Sequence, residues 1–169
     1  MLGYFLDHQD EALEDFLSDQ REYRITRIKM IADRLSELDL PIDISNLLEK
    51  AHQPGNSVGR PHIAQAMVRS GHVGDIHEAF DKWLGADCPA FVPRTGPLPT
   101  TVIGVIHAAG GIVSLAHPGL TSIDENIKEL QQAGLDAIEV YHARHSAEDR
   151  DRYLAIARKL GLFVTGGSD

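Results

Sequence analysis

The chain has one cysteine, Cys88, among 169 residues. A lone cysteine excludes an internal disulfide and fits a reducing, cytoplasmic setting. Standing before Pro89 with no second cysteine, it reads as an inert side chain rather than a nucleophile. No apolar run approaches the ~20 residues that a membrane-spanning helix needs. The first residues, Met1–Asp7, lack the basic start and cleavage site of a secretory leader. Positive charge is also scarce, with 16 Lys and Arg against 25 Asp and Glu, a net charge of −9. So acidic a surface is a poor generic binder of polyanions, and no stable grip on duplex nucleic acid is expected. A phosphate-bearing ligand would need a local cluster of positive groups or a metal. Glycine-rich phosphate loops of the P-loop and dinucleotide types are absent too.

What the chain does have is 43% hydrophobic residues, enough for a real core in one or two domains. It also has nine histidines. His8, His52, His72, His77 and His107 have polar neighbours in helical or loop contexts and read as surface or capping residues. The informative part is the last third, where one pattern recurs three times. A short apolar strand ends in a potential metal ligand or proton-transfer group: Ile112–Ala116 before His117, Ala137–Tyr141 before His142, and Leu162–Thr165 before Gly166-Gly167-Ser168-Asp169. Helical segments separate the strands. Ser122-Ile123-Asp124-Glu125 opens one that stops at Gly134, and Ser146-Ala147-Glu148-Asp149 opens one that stops at Gly161. In such an α/β series, parallel strands place their C-terminal ends on one side, where active sites are built.

The earlier part reads differently. Residues 1–7 form one apolar strand. Asp10 caps a long helix with Leu13, Phe16, Leu17, Ile28, Ile31, Leu35 and Leu38 at helical spacing, and Pro41 ends this element. Shorter helices follow: about Ile44–Ala51, one with Pro61 in its first turn and Gly71 as its stop, and one capped by Asp75 that runs to Leu84. The Pro-rich stretch Pro89–Pro99 connects to a helix near Thr100–Ala109.

Four groups of residues carry possible chemistry. His117, at a strand end, is either a metal ligand through its imidazole lone pair or a loop histidine bonded to a carbonyl. Asp169, after two glycines, can bind metal, orient a water or simply cap a helix. Glu139, inside a predicted buried strand, needs a partner, either near a site or as a structural tie to a neighbouring Arg or His. Arg60 and His62, opening a helix after Gly59, suit a phosphate, or are an edge charge and a surface histidine.

Taken together, Leu2-Gly3-Tyr4, Gly59-Arg60-Pro61-His62-Ile63-Ala64, Ala116-His117-Pro118-Gly119, Ile138-Glu139-Val140-Tyr141 and Gly167-Ser168-Asp169 resemble the PHP (polymerase and histidinol phosphatase) family of metal-dependent phosphoesterases. The likeness is to the branch with the 3′,5′-nucleoside bisphosphate phosphatases and a 5′→3′ exoribonuclease. It implies an α/β fold, the later part of a distorted (β/α)7 barrel with a mostly helical insertion. Residues 1–7 would be a barrel strand, 8–97 the insertion and 98–169 the later barrel units. It implies His117 and Asp169 as catalytic metal ligands and Arg60 and His62 as holders of the substrate phosphate. Glu139, His142, Arg144 and His145 would act around them. Two or three divalent ions, Mn, Fe or Zn, and a nucleotide or short RNA substrate are implied. The alternatives are a histidinol-phosphate-type phosphatase and a non-catalytic phospholigand-binding module. The family's opening His-x-His strand and most other ligands have no counterpart here. The resemblance therefore implies an internal fragment or truncated product, and the 169 residues alone are expected to be inactive.

Overall fold

The computed structural model describes residues 1–53, 56–121 and 123–168. It has two compact units: Met1–Phe16 with Pro97–Asp169, and Leu17–Gly96.

The first unit is built on a mixed sheet ordered β1 (Leu2–Tyr4), β2 (Ile112–Leu115), β3 (Ala137–His142), β4 (Phe163–Gly167). β1 runs antiparallel to β2, while β2, β3 and β4 are parallel. The three predicted parallel strands are all present, and the α/β class is as expected. β1 is shorter than the predicted seven-residue strand. Phe5 turns to φ 58, outside the extended region, and ends it after Tyr4. β4 extends past its predicted end, because Gly166 and Gly167 pair with Tyr141 and His142 instead of turning away. The ladder is irregular between Glu139 and Tyr141.

Helices α5 (Pro99–Ala108), α6 (Ile127–Gln132) and α7 (Ala147–Leu160) complete this unit. Ile103, Ile106, Val113, Leu115, Ile138, Val140 and Tyr153 form its core. β3 is buried continuously from Ala137 to Val140, as expected of a parallel strand covered on both faces. Asp136 ties the start of β3 to β2 by accepting the Val113 N–H at 2.7 Å, and it also meets His107 Nε2 at 2.8 Å. α7 begins at the predicted box: Ser146 accepts the Asp149 N–H while Asp149 accepts the Ser146 N–H. It ends at Gly161, which takes the left-handed φ of 68 that favours glycine. The predicted start of α6 differs. Ser122 lies outside the described residues, Asp124–Asn126 form a 3-10 turn, and α6 begins only at Ile127. Asp124 accepts the Tyr153 hydroxyl at 2.6 Å.

α1 (Glu11–Glu37) starts at Asp10, whose carboxylate accepts the Leu13 N–H at 2.8 Å. In the second unit, Ile28, Ile31 and Leu35 of α1 pack with Leu47 of α2 (Ser45–Ala51) and with Ile63 and Met67 of α3 (Arg60–Arg69). Each such fully buried side chain contributes about 1.5–3 kcal/mol. α4 (Ile76–Ala79), capped by Asp75 as predicted, continues as one wide π turn over Phe80–Leu84. The loop after it is fixed by arginines of α1. Arg27 donates twice to the Val92 carbonyl, at 2.9 and 2.7 Å, and Arg34 donates to the Phe91 carbonyl. Among the described residues no helix is long and apolar enough to cross a membrane.

Candidate active site

β2 leads straight into His117, the first residue after Ala116 to leave the extended backbone. His117 has φ 28 and ψ 58, a left-handed conformation that is uncommon for a side-chain-bearing residue. Pro118–Leu120 then make a single 3-10 turn. This corner is held from the neighbouring strand. Glu139, only 1% exposed, accepts the His117 N–H on Oε2 at 2.7 Å. The sequence reads Glu139 either as lying near the site or as a structural partner of a neighbouring Arg or His; the bond observed is to His117, through its backbone amide. On the same stretch of sheet, the hydroxyls of Ser114 and Thr165 are 2.7 Å apart.

At the end of β3 the imidazoles form a row. His117 and His142 have ring centroids 5.5 Å apart, His142 and His145 5.4 Å, and His145 and Tyr153 5.6 Å. His142 and His145 are buried. Their hydrogen bonds assign them different uses. His145 Nδ1 lies 2.9 Å from the Val140 carbonyl, which can only accept, so the proton is on Nδ1. Its Nε2 accepts the Gly119 N–H at 3.3 Å. Both nitrogens are therefore occupied, and His145 staples the His117 turn to β3. His142 Nδ1 accepts the Arg144 N–H at 3.2 Å, which leaves its proton on Nε2 in the neutral ring. The Arg144 side chain itself is exposed. Asp169 lies outside the described residues.

Beyond the row sits a group with no evident signal in the sequence other than Tyr153 and Ala157 sharing the inward face of α7. The Tyr153 hydroxyl donates to Asp124 at 2.6 Å and accepts from Arg152 at 2.9 Å. Arg152 also pairs with Asp124 at 3.2 Å and with Asp149 at 2.8 Å. Burial first, and then the bond to the Asp124 carboxylate, push the Tyr153 phenol up to about 12.

Two imidazoles beside a carboxylate are the donor chemistry that first-row divalent ions take. Among the described residues, however, no group of three or more His, Cys, Asp or Glu converges on a common metal position. Of the residues named from the sequence, Glu139, His117, His142 and His145 are brought together at the C-terminal ends of β2 and β3.

Arg60 and His62 belong to the other unit, in the first turn of α3. Arg60 Nη1 donates to the Leu84 carbonyl at 3.0 Å, and its guanidinium lies 5.6 Å from the ring centroids of both Phe80 and Phe91. His62 Nδ1 accepts the Gly59 N–H at 3.2 Å and closes the turn. His62 also lines a cavity of about 380 Å³ with Asn46, Lys50, Gln65 and Arg69. The remaining histidines are where composition put them. His52, His72, His77 and His107 bond to carbonyls or carboxylates at the surface. Cys88 points its thiol at the carbonyls of Asp81 and Phe80.

No family model matches the chain. The 5'-3' exoribonuclease Rnm of Salmonella typhimurium is 30% identical over the whole of this chain, which covers 59% of that protein. The 3',5'-nucleoside bisphosphate phosphatase of Chromobacterium violaceum is 29% identical, again over the whole chain and 61% of its own length. A solved structure from Bifidobacterium adolescentis, assigned by inference as a metal-dependent phosphoesterase, matches with a TM-score of 0.81 at 32% identity. The match takes in 98% of this chain and 60% of that one. The chain thus spans about three fifths of the length of the relatives it matches.

Proposed function

The chain is homologous to PHP-type metal-dependent phosphoesterases, and on that kinship we propose that the whole protein hydrolyses a phosphate ester of a nucleotide. The substrate is a 3′,5′-nucleoside bisphosphate or the 5′ end of a short RNA, and the setting is cytoplasmic. The observation that carries the reading is the corner at His117, where a strand-end imidazole is set by a buried carboxylate beside a second buried imidazole.

In this reading His117 and Asp169 are metal ligands for two or three divalent ions, Mn, Fe or Zn. Such ions, when bound, make a nucleophile available at neutral pH and offset the charge on the phosphate oxygens. The chain's own residues do the rest. Glu139 fixes the backbone from which the His117 ring projects. His142, with Nδ1 on the Arg144 N–H, lies beside the His117 ring. His145 would have to release the Gly119 N–H to coordinate through Nε2, so in this reading its part is to position the turn. Arg60 keeps one N–H on Leu84 and has four left for phosphate oxygens. His62 keeps Nδ1 on Gly59 and would donate from Nε2.

The test is an assay of the whole-length protein with Mn, Fe or Zn on three substrates: a nucleoside 3′,5′-bisphosphate, a 5′-phosphorylated oligoribonucleotide and histidinol phosphate. Turnover of one of the first two is expected. It should be abolished by chelator and reduced about 100-fold or more by His117→Ala, equivalent to roughly 2.7 kcal/mol. Arg60→Ala should raise KM and lower kcat/KM by about 2–4 kcal/mol. A preference for histidinol phosphate would move the protein to another branch of the family. Tight binding of the bisphosphate in chelator, with no turnover under any metal, would make it a binding module.

A further inference from the structure

The sequence is strongly acidic, yet three arginines of the unit Leu17–Gly96 line one small cavity. Its volume is about 230 Å³, and Tyr23, Arg24, Arg27, Ser57, Gly59 and Arg94 are among its walls. Arg24 and Arg27 are three residues apart on α1 and so share a face. Arg94 comes from the Pro-rich stretch after α4.

The groups that fix the Arg24 and Arg27 guanidiniums are neutral. Arg24 donates from Nε to the Gln20 carbonyl at 3.1 Å and from Nη1 to the Ser57 hydroxyl at 3.1 Å. Arg27 holds the Val92 carbonyl. Among the described residues, none of Arg24, Arg27, Arg60 and Arg94 forms an ion pair with a carboxylate. Their mutual field is felt: burial, and then Arg60 and Arg94, hold Arg27 below the usual arginine range. All remain charged at neutral pH, because arginine does not lose its proton in proteins. Like charges held together by neutral acceptors are a standing repulsion that an anion would relieve. The cavity around His62 lacks this character, because Asp43 joins Lys50 and Arg69 in its lining.

We propose that the Arg24–Arg27–Arg94 cavity is a phosphate-binding site of the helical unit. Its volume is below the ~300 Å³ at which pockets for drug-sized ligands begin, so it suits one phosphate rather than a whole nucleotide. Tyr23, 58% exposed at its edge, offers a ring on which a base can stack. The ligand class is therefore a phosphate carried by a nucleotide or by an RNA backbone. The identification of that carrier rests on the proposed function; the anion site does not.

The experiment uses the full chain without metal, in chelator, at ionic strength matched with sodium chloride. Binding is read by calorimetry and by thermal melting, since a ligand that binds only the folded state raises the melting temperature. The probes are inorganic phosphate, adenosine, adenosine 3′,5′-bisphosphate and an oligoribonucleotide with and without a 5′-phosphate. Phosphate and the bisphosphate should bind, and adenosine should not. Arg24→Gln/Arg94→Gln should weaken phosphate binding by about tenfold or more, the size of one lost charge-assisted bond. Arg94→Gln alone, an exposed position, should show a smaller loss in the same direction with an unchanged melting temperature. Tyr23→Ala should weaken the bisphosphate more than inorganic phosphate. An advantage of the 5′-phosphorylated oligoribonucleotide over its unphosphorylated form identifies an end phosphate; equal binding of the two identifies the RNA backbone. No stabilisation beyond chloride overturns the site. So does stabilisation that survives both arginine variants, or that is lost instead in Lys50→Gln/Arg69→Gln. Binding without turnover in the metal-loaded assay would keep the site and sink the proposed hydrolysis. Turnover with phosphate affinity unchanged in the arginine variants would do the reverse.

Discussion

Replacing Glu139 separates the two things its carboxylate does, holding the His117 amide and filling buried space. In Glu139→Ala the His117 N–H loses its acceptor, and an unsatisfied buried donor costs about 1–3 kcal/mol. The lost methylene adds about 0.8 kcal/mol. Removing a buried carboxylate returns part of this, because its desolvation cost disappears with it. The net expectation is about 3 kcal/mol. Glu139→Gln keeps an oxygen at the amide and nearly the same volume, losing only charge assistance, about 1 kcal/mol. For a chain of this length, 1 kcal/mol moves the melting temperature by roughly 2–4 °C. The alanine variant should therefore melt about 6–12 °C lower and the glutamine variant about 2–4 °C lower. Melting by circular dichroism gives the totals. Amide exchange at His117 localises them, since that proton should exchange faster in Glu139→Ala and stay protected in Glu139→Gln. A Glu139→Ala chain that melts with the wild type and keeps the His117 amide protected would refute the role given to this carboxylate.

Tyr153 predicts an alkaline limit. Its pKa in the folded state lies above the ordinary value of 10, at about 12, so the folded chain keeps a proton that the unfolded chain has lost. The stability it contributes is complete below pH 10 and disappears as pH rises to about 12. Tyr153→Phe should remove that pH-dependent part, and an absorbance titration should lose one late-ionising phenol. Ser146→Ala should destabilise the start of α7 by about 1 kcal/mol, measured by urea unfolding. The same substitution should flatten the acid response. The Ser146 N–H and hydroxyl hold the Asp149 carboxyl below its usual range, and the stability this gives is lost as pH falls beneath the ordinary Asp value of 3.8.

The elements that were legible are those whose signals are local. β2, β3 and β4 are short apolar runs bounded by caps and glycines, and each appears within about two residues of its predicted limits. Asp10, Asp75, Ser146 and Gly161 act at helix ends as their residue types dictate. What was not legible depends on contacts between distant residues. The early end of β1 comes from the positive φ at Phe5, a conformation its residue type does not favour. α6 starts only at Ile127 because the chain first makes a 3-10 turn over Asp124–Asn126. Gly166 and Gly167 lie beyond the predicted end of the last strand, yet they belong to β4. Their use is steric: a Cβ at Gly167 would stand 2.4 Å from Glu139 Oε1, and one at Gly166 would stand 3.0 Å from Tyr141. Glycine at these positions lets β4 close against the buried carboxylate.

The histidines show the same division more sharply. His142 and His145 looked alike in sequence, two imidazoles just after a strand. Their backbone surroundings give them unlike work, because His145 spends both nitrogens on the Val140 carbonyl and the Gly119 amide. Gly119 is part of that arrangement, since a Cβ there would press to 3.0 Å from the His145 ring. A histidine so engaged ties the turn to β3. The corner residue is thus held from two sides, by Glu139 through its own amide and by His145 through the amide of Gly119. A non-glycine residue at φ 28 persists only where its surroundings over-determine it, and such positions gather at functional sites. That concentration of restraint on one strand-end imidazole, rather than the number of histidines nearby, is the physical reason the proposed chemistry is assigned to His117.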